Sequence, residues 1–439
     1  MSDIKPDFVS TNHPRYKVTL CPPDLKRLQR VKNGEIADAT YIIQNYVANG
    51  LESLKNSVDF LGPITLGEFA FTSDLDHLSP APRTWTKSFI FEITSKISWR
   101  FQQLLRIPYL NIFTNLKLLD ASLRCLPGHD LVYERNSLYR FGISMACKRL
   151  KMPYILYIEA DDILEHEIMG KPIQGLLRFQ AERAARYNLM TANCVVCVSD
   201  PLKRHLIEKW HIPAEKIFVF SNVADVRKFT PDPQVKSEVR KSLGLDNEIL
   251  ILFLGNFYIW HDISTLLNAF KQVHERFPAV RLMLIGDGVT RDSMMQLAER
   301  LKIEDAVHFT GMVAHTEVPR NLAAADIAIV PYPKLDQEVW LSPLKLFEYM
   351  ASGNAIVASN VGQLPEWISD GKNGLLVPPE DISALAGAIE RLIEDENLRL
   401  RLGQQAREDA LRSHSWDQYM NRLDRIFSAV INRKTISNL

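Results

Sequence analysis

Short apolar runs alternate with amphipathic stretches along the second half of the chain. Continuous Val/Ile/Leu runs of this length are typical of strands that a parallel sheet buries on both faces. Helix-like stretches such as DISTLLNAFKQVHERF separate them, and this repetition predicts right-handed crossovers and a doubly wound α/β domain. The apolar runs that we interpret as strands are EILILFLG, VRLMLIG, DAVHFTG, DIAIVPY, AIVAS and GLLVP.

The first half shows the same alternation less regularly, and a mixed segment at 64–130 interrupts it. A charged, proline-containing stretch at 224–247 is typical of a linker. We therefore predict a doubly wound domain at 1–223 and a second one at 248–415, with a helix at about 416–439 packed back on the first. The candidate strands of the first domain are YKVTLC, SVDFLG, DLVYE, PYILYIE, CVVCVS and IFVFSN.

The overall charge excludes one class of function. Basic and acidic residues number 52 each, so there is no net field to attract nucleic acid. Five scattered cysteines do not form a disulfide framework, and the pair in CVVC is better explained by a buried strand than by a metal site. The N-terminus lacks an apolar leader and no run of 18 apolar residues is found. We expect a cytoplasmic protein.

Two doubly wound domains that face each other place the loops after their strands around one cleft. The loop GNFYIWHDIS opens a helix without G-x-G-x-x-G, which disfavours a nicotinamide cofactor. Asn256 and His261 are its polar candidates, although His261 is equally consistent with a surface or capping role. In IGDGVTRD, Gly286, Asp287 and Gly288 form either a tight turn or a contact to a ribose, and both interpretations stay open.

The stretch SPLKLFEYMASG predicts a helix start with Ser342 as the N-cap and Pro343 as the first helical residue. Lys345 then lies in the first turn, where the helix dipole disfavours a cation unless an anion is bound there. Glu348 lies one turn further along the same face. We expect this face to look outward, while the opposite face packs in the core; a solvated Lys–Glu pair is the alternative.

The run from ILFLGNFYIWHDISTLLNAF through LMLIGDG, VHFTGMV and SPLKLFEYMASGNAIVASNVGQLPEWISDGKNGLLVPPED resembles the donor-binding half of the retaining glycosyltransferases of family 4, which have the GT-B fold. PYILYIEADD and KIFVFSNVADVRKFTPD are similar to the segments that lead into that family's linker. The resemblance implies that Glu348 holds the nucleotide ribose. It also implies three further sets of donor contacts. The amides around Ser342, Pro343 and Leu344 would meet the diphosphate, and Gly34 of the first domain would lie near the phosphates. The walls of the base site would be formed by Gly286–Gly288 and by Gly311, Met312 and Val313.

The sequence also departs from the family pattern. Trp340 stands where the family has its first glutamate, and Asn256 and His261 stand where it has an arginine and a lysine on the diphosphate. Lys345 therefore becomes the main candidate to neutralise the leaving group. Glu159 aligns with the histidine near the family's reaction centre.

The predicted reaction moves a sugar, with retention at the anomeric carbon, from a nucleotide diphosphate sugar to a hydroxyl of a glycan or lipid-linked acceptor. We expect Lys345, His261 and Glu159 to be the catalytic residues, with no metal and no cofactor. Residues 83–113 are aromatic and basic, which is typical either of peripheral contact with the inner face of a membrane or of ordinary packed helices. The alternative functions are an inactive sugar-nucleotide-binding protein and a GT-B sugar-nucleotide epimerase.

Overall fold

Two predominantly parallel sheets organise the chain in a computed structural model, which describes residues 16–35, 38–108, 110–334, 340 and 342–433. The first sheet has the order β3-β2-β1-β4-β5-β6-β7, with β3 antiparallel to β2 and every other pair parallel. Its strands are β1 (Lys17–Cys21), β2 (Ser57–Thr65), β3 (Glu68–Thr72), β4 (Leu131–Arg135), β5 (Tyr154–Ile158), β6 (Cys194–Cys197) and β7 (Ile217–Val219).

The second sheet has the order β10-β9-β8-β11-β12-β13 and is parallel throughout. Its strands are β8 (Leu250–Leu254), β9 (Arg281–Ile285), β10 (Val307–Gly311), β11 (Ile327–Val330), β12 (Ala355–Ser359) and β13 (Leu375–Val377). Each apolar run that the sequence predicts as a strand is a strand. The hairpin strand β3 was not predicted, because it lies in the mixed segment.

Helices cover both faces of each sheet. Those of the first half are α1 (Leu25–Lys32), α2 (Ala39–Ser53), α3 (Phe89–Leu104), α4 (Ile112–Cys125), α5 (Gly142–Leu150), α6 (Asp162–Ile168), α7 (Gly175–Thr191) and α8 (Asp200–Glu208). Those that follow are α9 (Pro233–Ser242), α10 (Ile263–Arg276), α11 (Arg291–Leu301), α12 (Val318–Ala324), α13 (Leu344–Ser352), α14 (Leu364–Trp367), α15 (Ile382–Glu394), α16 (Glu396–Ser413) and α17 (Trp416–Ile431). The predicted fold class, two doubly wound domains, is confirmed.

The chain crosses between the domains twice, at neighbouring points. The Ala224 N–H donates to the His414 carbonyl (3.1 Å), and Ala224 forms an isolated bridge with Ser415. After the first crossing, α9 packs on the second domain, where Arg240 pairs with Asp326 at 3.0 Å. After the second crossing, α17 returns to the first domain and packs against α2. Two closely spaced crossings let the domains meet along a cleft bordered by the carboxyl ends of both sheets.

Candidate active site

The helix α13 begins one residue later than the sequence predicts. Pro343 is its N-cap, and no side chain of the described residues caps the first turn. The Ser342 hydroxyl instead accepts a hydrogen bond from the Asn222 N–H (2.7 Å), and the Asn222 side-chain amide donates to the Ser342 carbonyl. Ser342 therefore joins the loop after β7 to α13, and the prediction that it caps the helix was wrong. The N–H groups in the first turn of α13, at the positive end of the helix dipole, therefore have no side-chain acceptor among the described residues.

The helix α13 is also buried on every side. Residues from Lys345 to Ser352 are all buried, so the prediction of an outward polar face was wrong. The helix packs between the second sheet and α16, and Leu344 reaches the core of the first domain. Its Tyr349 hydroxyl accepts from the Leu254 N–H (2.7 Å), which fixes the end of β8 against the helix.

Lys345 is a buried lysine. The residue is 8% exposed, and its Nζ has no hydrogen-bond partner in the part of the chain that the structure describes. The Nζ lies 4.4 Å from the centre of the Phe253 ring and 5.6 Å from that of Tyr332. Burial lowers the pKa of Lys345 to about 7, although the Glu348 carboxylate opposes the shift. Burying an ammonium group without a hydrogen-bonded anion costs free energy, so this site favours the binding of an anion.

His261 lies in the same region, but as a neutral ring. Its Nδ1 donates to the Asn256 carbonyl, and the Tyr332 hydroxyl lies 3.3 Å from its Nε2. Burial, reinforced by the nearby Lys345 ammonium, lowers the pKa of His261 well below its usual value. An imidazole in this state orients its neighbours by hydrogen bonds and adds no positive charge at neutral pH. The catalytic role expected of His261 stays a prediction, but the structure does not support a cationic one.

Two glycines let the loops after β8 and β9 approach each other and the lysine. A Cβ atom on Gly255 would lie 2.5 Å from the Lys345 Nζ, and one on Gly286 would lie 2.0 Å from the Gly255 carbonyl oxygen. Both residues have positive φ, at 152° and 137°. The backbone at Gly255 therefore passes so close to the Lys345 Nζ that a side chain at this position would collide with it. Asp287 and Gly288 follow in a tight turn, where the exposed Asp287 carboxylate accepts from the Gly288 N–H (2.7 Å).

Glu348 lies one turn below Lys345 and is paired with a histidine that the sequence did not single out. The His315 Nε2 lies 2.9 Å from the Glu348 Oε1, and the Glu348 side chain is 4% exposed. His315 follows β10 by four residues, in the loop GMVAHTE. Sequence reasoning could have found it as a polar residue after a strand at the cleft. One carboxylate oxygen of Glu348 is thus held by His315, which fixes the direction of the other.

The remaining donor-site candidates border the same loop. The Gly311 carbonyl accepts from the Gly286 N–H (2.9 Å), Met312 is exposed, and Val313 packs on the core of the second domain. From the first domain, a Cβ on Gly34 would lie 3.8 Å from Thr316 Cγ2. Gly34 therefore faces this loop across the cleft. Its predicted contact with phosphate, like the base contacts of Gly311 to Val313, stays a prediction.

Glu159 is in a charged cluster of the first domain, where β4 and β5 end. Its Oε2 accepts from the Arg135 guanidinium (3.1 Å) and from the Thr40 hydroxyl (2.6 Å). Arg135 also lies 3.6 Å from Asp162, and burial raises the pKa of Asp162 to about 6 in spite of that cation. The Glu159 Oε1 is buried and has no hydrogen-bond partner within the described ranges. The catalytic role proposed for Glu159 remains a prediction.

Trp340 connects the two domains. Its ring lies 4.6 Å from the ring of His205, and it packs against the core of the first domain. His205 is held in place by Asp161, whose Oδ2 lies 2.9 Å from the His205 Nε2 and 2.9 Å from the Lys209 Nζ. Burial opposes ionisation of Asp161, but these two hydrogen bonds hold its pKa below the usual range. Trp340 is therefore an apolar contact between the domains at the edge of the cleft.

The match to a known protein family falls on the domain that carries α13. Residues 235–409 match the family described as glycosyl transferases group 1. Residues 235–409, which are less than half of the chain, therefore form a glycosyl transferases group 1 domain. The alpha-D-kanosaminyltransferase of Streptomyces kanamyceticus is 25% identical over 229 residues, which are 52% of this chain and 58% of that protein.

A second relative, the GDP-mannose-dependent alpha-(1-6)-phosphatidylinositol monomannoside mannosyltransferase of Mycobacterium tuberculosis, is 27% identical over 207 residues, 47% of this chain and 54% of that protein. The chain thus spans little more than half the length of these two relatives. Among solved structures, sucrose-phosphate synthase from Thermosynechococcus elongatus superposes with a TM-score of 0.68 at 19% identity, covering 96% of this chain and 100% of that one. The fold is GT-B.

Proposed function

We propose that this protein is a glycosyltransferase that moves a sugar from a nucleotide diphosphate sugar to a hydroxyl of a glycan or lipid-linked acceptor, with retention at the anomeric carbon. Support comes from the family of residues 235–409 and from relatives named for sugar transfer, one of them for GDP-mannose and a phosphatidylinositol glycolipid. Contact with a membrane through residues 83–113 is part of the proposal, because a lipid-linked acceptor has to be taken from a bilayer.

The single observation that carries the proposal is the Lys345 ammonium beside the uncapped start of α13. Departure of a nucleoside diphosphate creates negative charge, which preorganised donors in a dry cleft stabilise. Lys345 and the first amides of α13 supply such donors. In this role an arriving diphosphate raises the pKa of Lys345 again, so that the lysine is a full cation when the sugar bond breaks.

Glu348 and the loops after β8 and β9 form the remainder of the proposed donor site. Held by His315 at one oxygen, Glu348 has the other available for ribose hydroxyls. The close backbone around Gly255 and Gly286 would face the diphosphate. In the first domain, Glu159, Arg135 and Asp162 would meet the sugar or the acceptor.

The test is a screen of nucleotide sugars by thermal shift, followed by a transfer assay. A ligand that binds the native state raises the apparent stability by mass action, so UDP- and GDP-sugars that bind are detected first. We expect transfer or slow hydrolysis of one of them, with the product keeping the donor's anomeric configuration by NMR. Binding with neither transfer nor hydrolysis would favour the inactive binding protein, for which the apolar Trp340 at the cleft is the supporting observation.

A further inference from the structure

Helix α3 presents its apolar face outward. The row that faces the protein consists of Phe91, Ser95, Ser98 and Gln102, of which three are polar. A second row of the helix is exposed and apolar throughout, and the exposed fractions of its side chains are 75% for Ile90, 37% for Ile93, 59% for Ile97, 59% for Phe101 and 78% for Leu104. A helix that packed ordinarily on a sheet would show the reverse arrangement. A contiguous exposed apolar row of this length indicates an interaction surface.

The orientation of α3 is fixed by contacts at its base. Asp120 on α4 accepts hydrogen bonds from the Thr84 and Thr86 hydroxyls at 2.9 and 2.7 Å. At the start of the helix, the inward Phe91 meets the rings of Trp85 and Phe113 edge-on, each with a centroid distance of 5.4 Å. The polar contacts of the segment just before α3 and the aromatic contacts of Phe91 therefore hold the outward face in place.

Helix α7 is linked to α3 and also exposes apolar side chains. The Leu110 N–H donates to the Gln102 side chain of α3 (3.1 Å), while the Leu110 carbonyl accepts from Gln180 of α7. Leu110 thus joins the two helices. Next to Gln180, Phe179 is 59% exposed, and Leu176 on the preceding turn is 51% exposed. From the sequence, only residues 83–113 were considered for membrane contact, and α7 lies outside that range.

Basic side chains accompany both apolar faces. Lys96 and Arg100 are exposed and four residues apart, on the helical row beside Ile97 and Phe101. On α7, the Arg183 guanidinium lies 5.5 Å from the centre of the Phe179 ring. An apolar face bordered by cations matches the interface of an anionic bilayer, where side chains insert below the headgroups and cations meet the phosphates.

We propose that the outward faces of α3 and α7 form one surface that docks on an anionic lipid bilayer. None of the described helices is long and apolar enough to cross a membrane. The inference deepens the proposed function and rests on it for the acceptor. Arg178 of α7 pairs with Glu167 of α6, and α6 starts at Asp162 in the cluster around Arg135. One helix therefore separates the docked surface from the candidate acceptor site.

The test measures co-sedimentation of the full chain with phosphatidylcholine vesicles that contain or lack phosphatidylglycerol. We expect binding that requires phosphatidylglycerol and falls with added salt. The variant Ile97→Ser/Phe101→Ser is expected to lower the bound-to-free ratio at least about tenfold. Lys96→Gln/Arg100→Gln is expected to lower it by about tenfold on the anionic vesicles, and Phe179→Ser is expected to lower it by a smaller factor.

Leu400→Ser is the matched control, because Leu400 is 62% exposed on α16 of the other domain. Equal binding to both vesicle types, wild-type binding by the α3 variants, or an equal loss in Leu400→Ser would overturn the proposal. So would a dimer in vesicle-free sedimentation that Ile97→Ser/Phe101→Ser dissociates, since the face would then belong to a second copy. No sugar nucleotide enters the vesicle assay, so its result does not depend on sugar transfer. If the protein binds these vesicles but neither transfers nor hydrolyses any sugar nucleotide in the separate transfer assay, the proposed function is contradicted and the docking surface stands.

Discussion

Two helices of this protein, α13 and α3, depart from ordinary amphipathic packing in opposite directions. α13 buries its charged residues Lys345 and Glu348 together with its apolar ones. α3 exposes its apolar row and turns serines toward the protein. Each arrangement is unfavourable for the isolated chain, because a buried cation and an exposed apolar row both raise the free energy of the folded protein. In our account a diphosphate compensates the first and a bilayer compensates the second.

The largest expected difference between the helices is in stability. Phe347 on α13 is fully buried against Trp367 and His414, whereas Phe101 on α3 is largely exposed. We expect Phe347→Ala to lower the free energy of unfolding by about 3–5 kcal/mol and Phe101→Ala to change it by less than about 0.5 kcal/mol. Urea unfolding followed by circular dichroism measures both. A large loss in Phe101→Ala would show that α3 packs its apolar row on the protein.

The next effect concerns turnover. Lys345→Met keeps the volume and removes the charge, so we expect sugar transfer to fall about 10²–10³-fold because the leaving diphosphate loses a preorganised cation. The same variant should be more stable than the wild type at neutral pH, since it no longer buries a group whose pKa is lowered to about 7. Lys236→Met provides the control, because Lys236 pairs with Asp326 outside the cleft. Unchanged transfer in Lys345→Met would contradict the site assignment.

The pH dependence follows from the same lysine. Its pKa is lowered in the folded protein, so between about pH 7 and its unfolded value of 10.5 the unfolded chain binds the extra proton. The contribution of Lys345 to stability therefore rises with pH across that window, at up to about 1.4 kcal/mol per pH unit. Unfolding of wild type and Lys345→Met at several pH values should converge toward high pH. Parallel curves would show that Lys345 is not the group responsible.

The smallest expected effect is that of His315, which positions Glu348 and does not itself touch the donor in this account. His315→Gln retains a hydrogen-bond donor and should keep most of the donor affinity. His315→Ala should raise KM for the donor several-fold, on the scale of one hydrogen bond to a charged group, with kcat nearly unchanged. A fall in kcat at constant KM would assign His315 to the chemical step.

The sequence predicted the sheets well because buried parallel strands are local apolar runs. It also directed attention to Lys345 and Glu348, since a cation in the first turn of a helix is a local anomaly. It missed what depends on distant contacts: Ser342 bonds to Asn222, His315 meets Glu348 from another loop, and burial leaves His261 neutral. The outward orientation of α3 was equally invisible, because amphipathic periodicity does not say which face meets the protein.

The most direct test of the central claim is proton uptake on binding of UDP or GDP. Calorimetry at about pH 8 in buffers of different ionisation enthalpy gives the number of protons taken up. Lys345 is mostly neutral there before binding, so the account predicts an uptake close to one proton in the wild type beyond that in Lys345→Met. Equal uptake by the two proteins, with binding intact, would contradict the claim that this buried lysine is held for the donor diphosphate.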